Sequence, residues 1–156
     1  MVAVAVVAII GVIAVPSMYS FVKDNRLTTQ ANDLIADLMT ARSTATKNNR
    51  RVALCASSNL SSCTGGTAFQ GGWIVIVDSN NDGTFAAGEE IVRIHTAVPA
   101  ETGITITAST ASSITFETTG RPTVTGVSYT LNDNRPGNSK VVTVSNSGRP
   151  RVEKGS

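Results

Sequence analysis

The sequence predicts an α+β fold, a long N-terminal α-helix packed on an antiparallel β-sheet head of about seven strands. Three observations carry this expectation. Residues 1–15 contain no polar side chain. Residues 27–45 place Leu27, Ala31, Leu34, Ile35, Leu38, Ala41 and Ala45 at steps of three and four, which makes one apolar stripe on a helix. From Arg50 onward the period changes to two, in short runs rich in Val, Ile and Thr, residues that suit a pleated, half-buried surface.

At 156 residues the chain has the length of one ordinary domain. Charged residues make up 15%, well below the roughly 25% usual for soluble domains. Hydrophobic residues reach 41% with only 4% aromatics, so the apolar content is aliphatic. This composition excludes a disordered charged tail, a collagen-like repeat and a disulfide-dense mini-protein. A single histidine, His95, argues against histidine-based catalysis.

The helix comes first. The run MVAVAVVAIIGVIAV would extend roughly 22 Å as an α-helix, short of the about 20 residues that span a bilayer core. It lacks the basic start and small-residue cleavage site of a signal peptide. It is expected to be part of a membrane helix whose first residues precede Met1, with a buried core helix and a cleaved signal peptide as alternatives. Pro16 removes one backbone hydrogen bond and is expected to kink or locally unwind the helix. Lys47, Asn48 and Asn49 suit a helix C-terminus and a left-handed cap. The chain divides into a hydrophobic helix, 1–22, and a globular head, 23–156.

Strands are expected at 51–56, 73–78, 91–98, 103–108, 112–117, 124–131 and 140–145. Turn-forming segments separate them: Gly65-Gly66, Gly71-Gly72, Asn81-Asp82-Gly83, Gly120-Arg121-Pro122 and Asn134-Arg135-Pro136-Gly137. These short spacings favour antiparallel hairpins, in one sheet or two packed sheets covering the apolar stripe.

Cys55 and Cys63 are compatible with one disulfide across a flexible, serine-rich segment; free thiols and a metal site are the alternatives. No Cys-x-x-Cys pair or neighbouring histidine completes a metal site. A disulfide implies an oxidising compartment.

Residues 78–89 read DSNNDGTFAAGE. Asp78, Asn80, Asp82, Gly83 and Glu89 satisfy a calcium-loop spacing, which sets oxygen ligands on alternate residues around a glycine turn. Strands rather than helices are expected on either side, and Asn-Asp-Gly is a strong hairpin signal. A polar hairpin loop is therefore favoured over a calcium site, and no cofactor is expected.

Charge is segregated. Residues 78–117 hold six carboxylates against Arg93, whereas residues 121–156 hold Arg121, Arg135, Lys140, Arg149, Arg151 and Lys154 against Asp133 and Glu153. A near-neutral chain of this kind presents a basic face to a polyanion. In an extended Gly148-Arg149-Pro150-Arg151, both arginines project to one side. Pro150 confines the segment to a sheet edge or beyond it. Paired guanidinium groups suit phosphates. Few aromatics accompany them, so base stacking should be minor and binding sequence-independent. Contacts with other subunits or a passive surface are the alternatives. His95 lies in a strand pattern without a nucleophile motif, and no nucleotide-binding or metalloprotease motif is present; the chain is not expected to be an enzyme.

Several of these segments together resemble the GspH/FimT family of type IV minor pilins and type II secretion minor pseudopilins, with the FimT-like minor pilins as the nearest group. They are the N-terminal run through Pro16-Ser17-Met18, the passage from Ala41-Arg42-Ser43 to Arg50-Arg51-Val52, Gly72-Trp73-Ile74-Val75, Ile91-Val92-Arg93-Ile94-His95, and Val141 to Ser145 followed by Gly148-Arg149-Pro150-Arg151. The resemblance implies a type IV pilin fold and a helix held in the bacterial inner membrane before assembly, with its head in the periplasm. It implies later placement in a pilus at the cell surface, near the tip. Other minor and major pilins are the implied partners, and no small-molecule substrate is implied. Some members bind DNA through such a tail during DNA uptake. Carried onto this chain, that implies double-stranded DNA held by Arg149 and Arg151, with Lys140, Arg135 and Lys154 in support. The other implied role is structural: priming or capping a pilus or pseudopilus without binding DNA. The family's first mature residues, including an acidic one, have no counterpart here. About six more residues would bring the apolar run to a spanning length. Leu131-Asn132-Asp133 stands where many relatives have a cysteine, so no second disulfide is expected.

Overall fold

The structure, a computed structural model, describes residues 2–110 and 112–155, with side chains from Met18 onward. Helix α1 runs from Val2 to Asn48, about 70 Å at 1.5 Å per residue. It is unbroken at Pro16, so the expected unwinding does not occur. Asn49 adopts a left-handed φ of 52°, and the Arg50 N–H reaches back to the Ala45 carbonyl at 3.3 Å. This is the left-handed cap expected there, of the Schellman type. Among the described residues, no helix is long and apolar enough to cross a membrane. The side chains of 1–17, on which the expected anchor rests, lie outside the description.

Eight strands form two four-stranded antiparallel sheets. They are β1 (Val52–Ala56), β2 (Trp73–Val77), β3 (Ile91–His95), β4 (Thr105–Ala108), β5 (Ser113–Phe116), β6 (Ser128–Asn132), β7 (Ser139–Val144) and β8 (Pro150–Lys154). The first sheet has the order β3-β2-β1-β5 and the second β4-β6-β7-β8. The first seven fall within the expected segments, give or take a few terminal residues. The eighth is additional: the tail pairs with β7 at the sheet edge, one of the two places expected for it.

Both sheets turn an apolar face toward α1. Leu27, Ala31, Leu34, Leu38, Ala41 and Ala45 are buried against Leu54, Trp73, Val75, Ile114 and Phe116 of the first sheet and Ile106, Tyr129, Leu131 and Val142 of the second. This is the stripe read from residues 27–45. At roughly 1.5–3 kcal/mol for each large side chain buried, it supplies much of what holds the head together. The outer face of the first sheet is buried too. Ala53, Cys55, Ile74 and Ile76 form a second small cluster with Leu60, Cys63, Phe85 and Ile91. Two loops cover this face, and the Cys63 N–H joins them by donating to the Phe85 carbonyl at 3.3 Å.

Candidate nucleic-acid interface

Strand β8 is an edge strand, hydrogen-bonded on one side to β7. Its register pairs Val144 with Pro150, Thr143 with Arg151, Val142 with Val152, and Lys140 with Lys154. Residues opposite one another in an antiparallel pair share a face. Val142 is buried beneath α1, so Val152, Lys140 and Lys154 lie on the helix-facing side, and Arg151 lies on the outward side with Thr143. Pro150 takes the first strand position, where its missing N–H costs no ladder bond.

A tight turn precedes β8. The Gly148 N–H donates to the Ser145 carbonyl at 2.8 Å, and the Ser145 N–H donates to the Arg149 carbonyl at 3.0 Å. The Arg149 N–H donates to Ser145 Oγ at 3.1 Å. Ser145 and Arg149 thus continue the ladder, which puts Arg149 on the outward side with Arg151, as the extended reading expected. Both arginines are exposed.

The structure does not bring all five basic residues named from the sequence together. Arg149 and Arg151 form one outward pair. Lys140 and Lys154 form another on the opposite side, bordering a cavity of about 280 Å³ with Asp24, Thr28, Asn138 and Ser139. Arg135 belongs to neither. It pairs with Asp133 and, at 2.5 Å, with Asp24 of α1, and Asn138 Nδ2 donates to the same two carboxylates. Burial pushes the Asp133 carboxyl up, but hydrogen bonds from the Arg135 side chain and backbone and from Asn138 outweigh it and leave it below the ordinary aspartate value. The hydrogen bonds it donates to Asp133 and Asp24 push the Arg135 guanidinium up. Its charge is neutralised within the fold.

Two further arginines, counted among the basic residues of the sequence but not among its expected DNA contacts, stand near the outward pair. Gly120 and Gly148 both adopt left-handed backbone, with φ of 74° and 76°. They meet so closely that a Cβ on Gly148 would run into the Gly120 carbonyl oxygen. Arg42 of α1 lies against both glycines, and its Nε donates to the Gly120 carbonyl at 3.1 Å. Arg121 and Arg149 follow the two glycines directly. The available signal was the triplet Gly-Arg-Pro, which occurs at 120–122 and again at 148–150.

The acidic loop closes on itself. Asp78 is fully buried; it accepts the N–H groups of Asp82 and Gly83 at 3.1 and 3.0 Å and pairs with Arg51 at 3.0 Å. Glu89 accepts the N–H groups of Ser79 and Ala86 at 2.9 and 3.1 Å. Asn80 Oδ1 accepts the Asp82 N–H at 3.1 Å, and Asn80 Nδ2 donates to Asp82 Oδ2 at 2.7 Å. The Thr84 hydroxyl and N–H bind Asp82 Oδ1, and these bonds hold the Asp82 carboxyl below its ordinary value. Each side-chain oxygen that the calcium spacing would offer is thus engaged, and the positive charge at the loop comes from Arg51, on Asp78, and Arg50, which donates to the Ser79 carbonyl. Among the described residues, no group of three or more His, Cys, Asp or Glu is placed to hold a metal ion.

Cys55 and Cys63 form a disulfide, the pairing favoured from the sequence. His95 ends edge strand β3, as its setting suggested, and stacks on Trp73 with ring centroids 3.7 Å apart.

The family model described as type II transport protein GspH matches residues 30–148. Arg149 and Arg151 lie just past that stretch. The chain is similar to the solved structure of the type IV minor pilin FimU of Pseudomonas aeruginosa, at 21% identity and a TM-score of 0.67, covering 85% of this chain and 92% of that one. It is also similar to the minor pseudopilin EpsH from the type 2 secretion system of Vibrio cholerae, at 10% identity and a TM-score of 0.56, covering 82% and 96%. No curated protein matches it. Both structural likenesses concern the fold: a long helix laid across antiparallel sheets.

Proposed function

The chain belongs to the GspH family, and on that premise we propose that it is a minor pilin whose head binds double-stranded DNA through β8, for DNA uptake in natural transformation. One observation carries the reading. Arg149 and Arg151 are exposed on the same outward side of an edge strand, and among the described residues neither has a carboxylate partner. A guanidinium left free in this way offers paired donors to a phosphate.

The rest of the head sets the character of the binding. Tyr129, the one aromatic residue after Phe116, is fully buried, so this surface has no stacking platform for bases. Contacts then go to phosphates, without sequence preference, and weaken steeply with salt. Arg149 and Arg151 are the main contacts. Lys140 and Lys154, on the far side of the strand, add only to the general field. In this reading the helix is anchored in the inner membrane with the head in the periplasm, and it later packs against other pilins at the cell surface. The disulfide suits that oxidising route.

A second reading is a structural minor pilin or minor pseudopilin without DNA binding. Exposed Met18, Tyr19 and Phe21 favour it, because a row of large apolar residues on a helix suits burial against neighbouring helices. Titrating the full chain in mild detergent with duplex DNA separates the two. Binding at low salt that is lost in Arg149→Ala plus Arg151→Ala is expected from the first reading. Absence of binding at low salt, or indifference to the double change, supports the second.

A further inference from the structure

The two Gly-Arg-Pro turns, 28 residues apart in sequence, are held in contact at the seam where the two sheets meet. We propose that they form one two-pronged phosphate clamp, with Arg121 as a DNA contact equal in rank to Arg149. The inference rests on the DNA-binding reading and extends it to a loop outside the C-terminal tail.

The turn at Gly120 is built like the one at Gly148. The Gly120 N–H donates to the Glu117 carbonyl at 2.7 Å, and the Glu117 N–H donates to the Arg121 carbonyl at 2.9 Å. These bonds match those that Gly148 and Ser145 make to Ser145 and Arg149. Both glycines are buried at φ near +75°, where a side chain is strained and, at Gly148, has no room. Each following arginine is exposed, and each proline returns its chain to strand pairing: Pro122 bridges to Phe116 and Pro150 pairs with Val144. Two like turns stacked by their glycines therefore deliver two arginines to one locality.

Arg42 fixes the arrangement from below. Its stem lies against both glycines, and only its Nε is spent, on the Gly120 carbonyl. Among the described residues its two terminal amino groups have no partner. Neither do the side chains of Arg121 and Arg149. Glu117, the carboxylate nearest in sequence to Arg121, is exposed and forms no ion pair within the described residues. Two exposed arginines that follow glycines in contact, beside a third whose terminal amino groups are unspent, give the seam positive charge without a counter-charge, which suits an external polyanion. A duplex backbone, with its close succession of phosphates, can engage both prongs at once.

The test uses the full 156-residue chain in a mild non-ionic detergent, with duplex DNA titrated across a series of salt concentrations. Native protein is compared with Arg121→Ala, with Arg149→Ala plus Arg151→Ala, and with Arg26→Ala. Arg26 is an exposed helix arginine of equal charge that takes no part in the seam. The expected result is a roughly fivefold to tenfold loss of affinity for Arg121→Ala, with the slope of log affinity against log salt shallower by about one. Arg26→Ala should stay within twofold of native. Arg121→Ala within twofold of native, alongside a clear loss in the tail variant, would overturn the clamp and leave the tail reading standing. An equal loss in Arg26→Ala would also overturn the clamp, since net charge alone would then account for the effect. Native protein that fails to bind at low salt would remove the DNA reading and the clamp together.

Discussion

The indole N–H of Trp73 donates to the Asp37 carboxylate at 2.9 Å, tying β2 to the C-terminal half of α1. Trp73 is fully buried and Asp37 is 3% exposed. The second carboxylate oxygen accepts Arg93 Nε from β3 at 3.1 Å, so one aspartate joins the helix to two strands.

Asp37→Ala should therefore be costly beyond its size. It leaves the indole N–H without a partner and frees Arg93. Loss of such a buried, charge-assisted pair costs roughly 2–4 kcal/mol, or about 5–10 °C in melting temperature for a domain of this length. Thermal unfolding followed by circular dichroism checks the magnitude. Fluorescence of the single tryptophan checks whether its surroundings become wetter.

The disulfide closes a short loop over the second apolar cluster. Cys55→Ala plus Cys63→Ala, or reduction, should lower stability by roughly 2–3 kcal/mol. Helix content should be retained, because the stripe of α1 packs on the opposite face of that sheet. A denaturant titration with and without reductant measures the difference. An unchanged midpoint would contradict it.

Gly148 and Gly137 both have positive φ, 76° and 69°, but only Gly148 is crowded. A Cβ at Gly137 meets open space, whereas at Gly148 it meets the Gly120 carbonyl and Arg42. Gly137→Ala should cost about 1 kcal/mol, the strain of the backbone alone. Gly148→Ala should cost more, about 2–3 kcal/mol, and should weaken DNA binding by separating the two turns. Melting curves and DNA titrations on the same two variants give both comparisons.

Asp133 gives a pH dependence with a definite sign. Its folded carboxyl lies below the ordinary value of 3.8. The stability it contributes is therefore complete above that value and falls away as pH drops through the folded one. Native protein should lose stability more steeply below about pH 4 than Asp133→Asn, which should be less stable at pH 7. Melting temperatures between pH 2 and pH 7 decide the point.

Arg135→Ala should separate structure from binding. The pairing with Asp24 and Asp133 makes it a stabilising residue, so the variant should melt lower while keeping DNA affinity within about twofold. A loss of affinity as large as that of the Arg149 and Arg151 double variant would show that the pairing yields to DNA.

The helix stripe and seven strands were legible in the sequence because each follows from a local period. Strand β8 was not, because Pro-Arg-Val-Glu-Lys holds a single β-branched residue and buries no face; its pairing with β7 defines it instead. The choice between one sheet and two was left open for a similar reason. It depends on which strands lie side by side, and spacing along the chain does not encode that. Among the basic residues, the outward pairing of Arg149 and Arg151 followed from strand geometry. The capture of Arg135 had a local signal in Asp133, two residues before it, although Asp24 comes from 111 residues away. Arg121 and Arg42 gather around the tail through a glycine contact between separate turns, to which only the repeated triplet pointed.

Strand β1 lies between β2 and β5, and its register sets Val52 opposite Phe116. The centre of the first sheet is therefore unfinished until residues more than sixty positions downstream are in place. Pairing over so long a separation closes slowly, because the intervening loop must lose its freedom first. A chain interrupted anywhere between β2 and β5 would leave one edge of β1 open and part of the helix stripe without its cover. The head thus has no natural breakpoint at which half of it folds alone, and it should form and come apart in a single cooperative step.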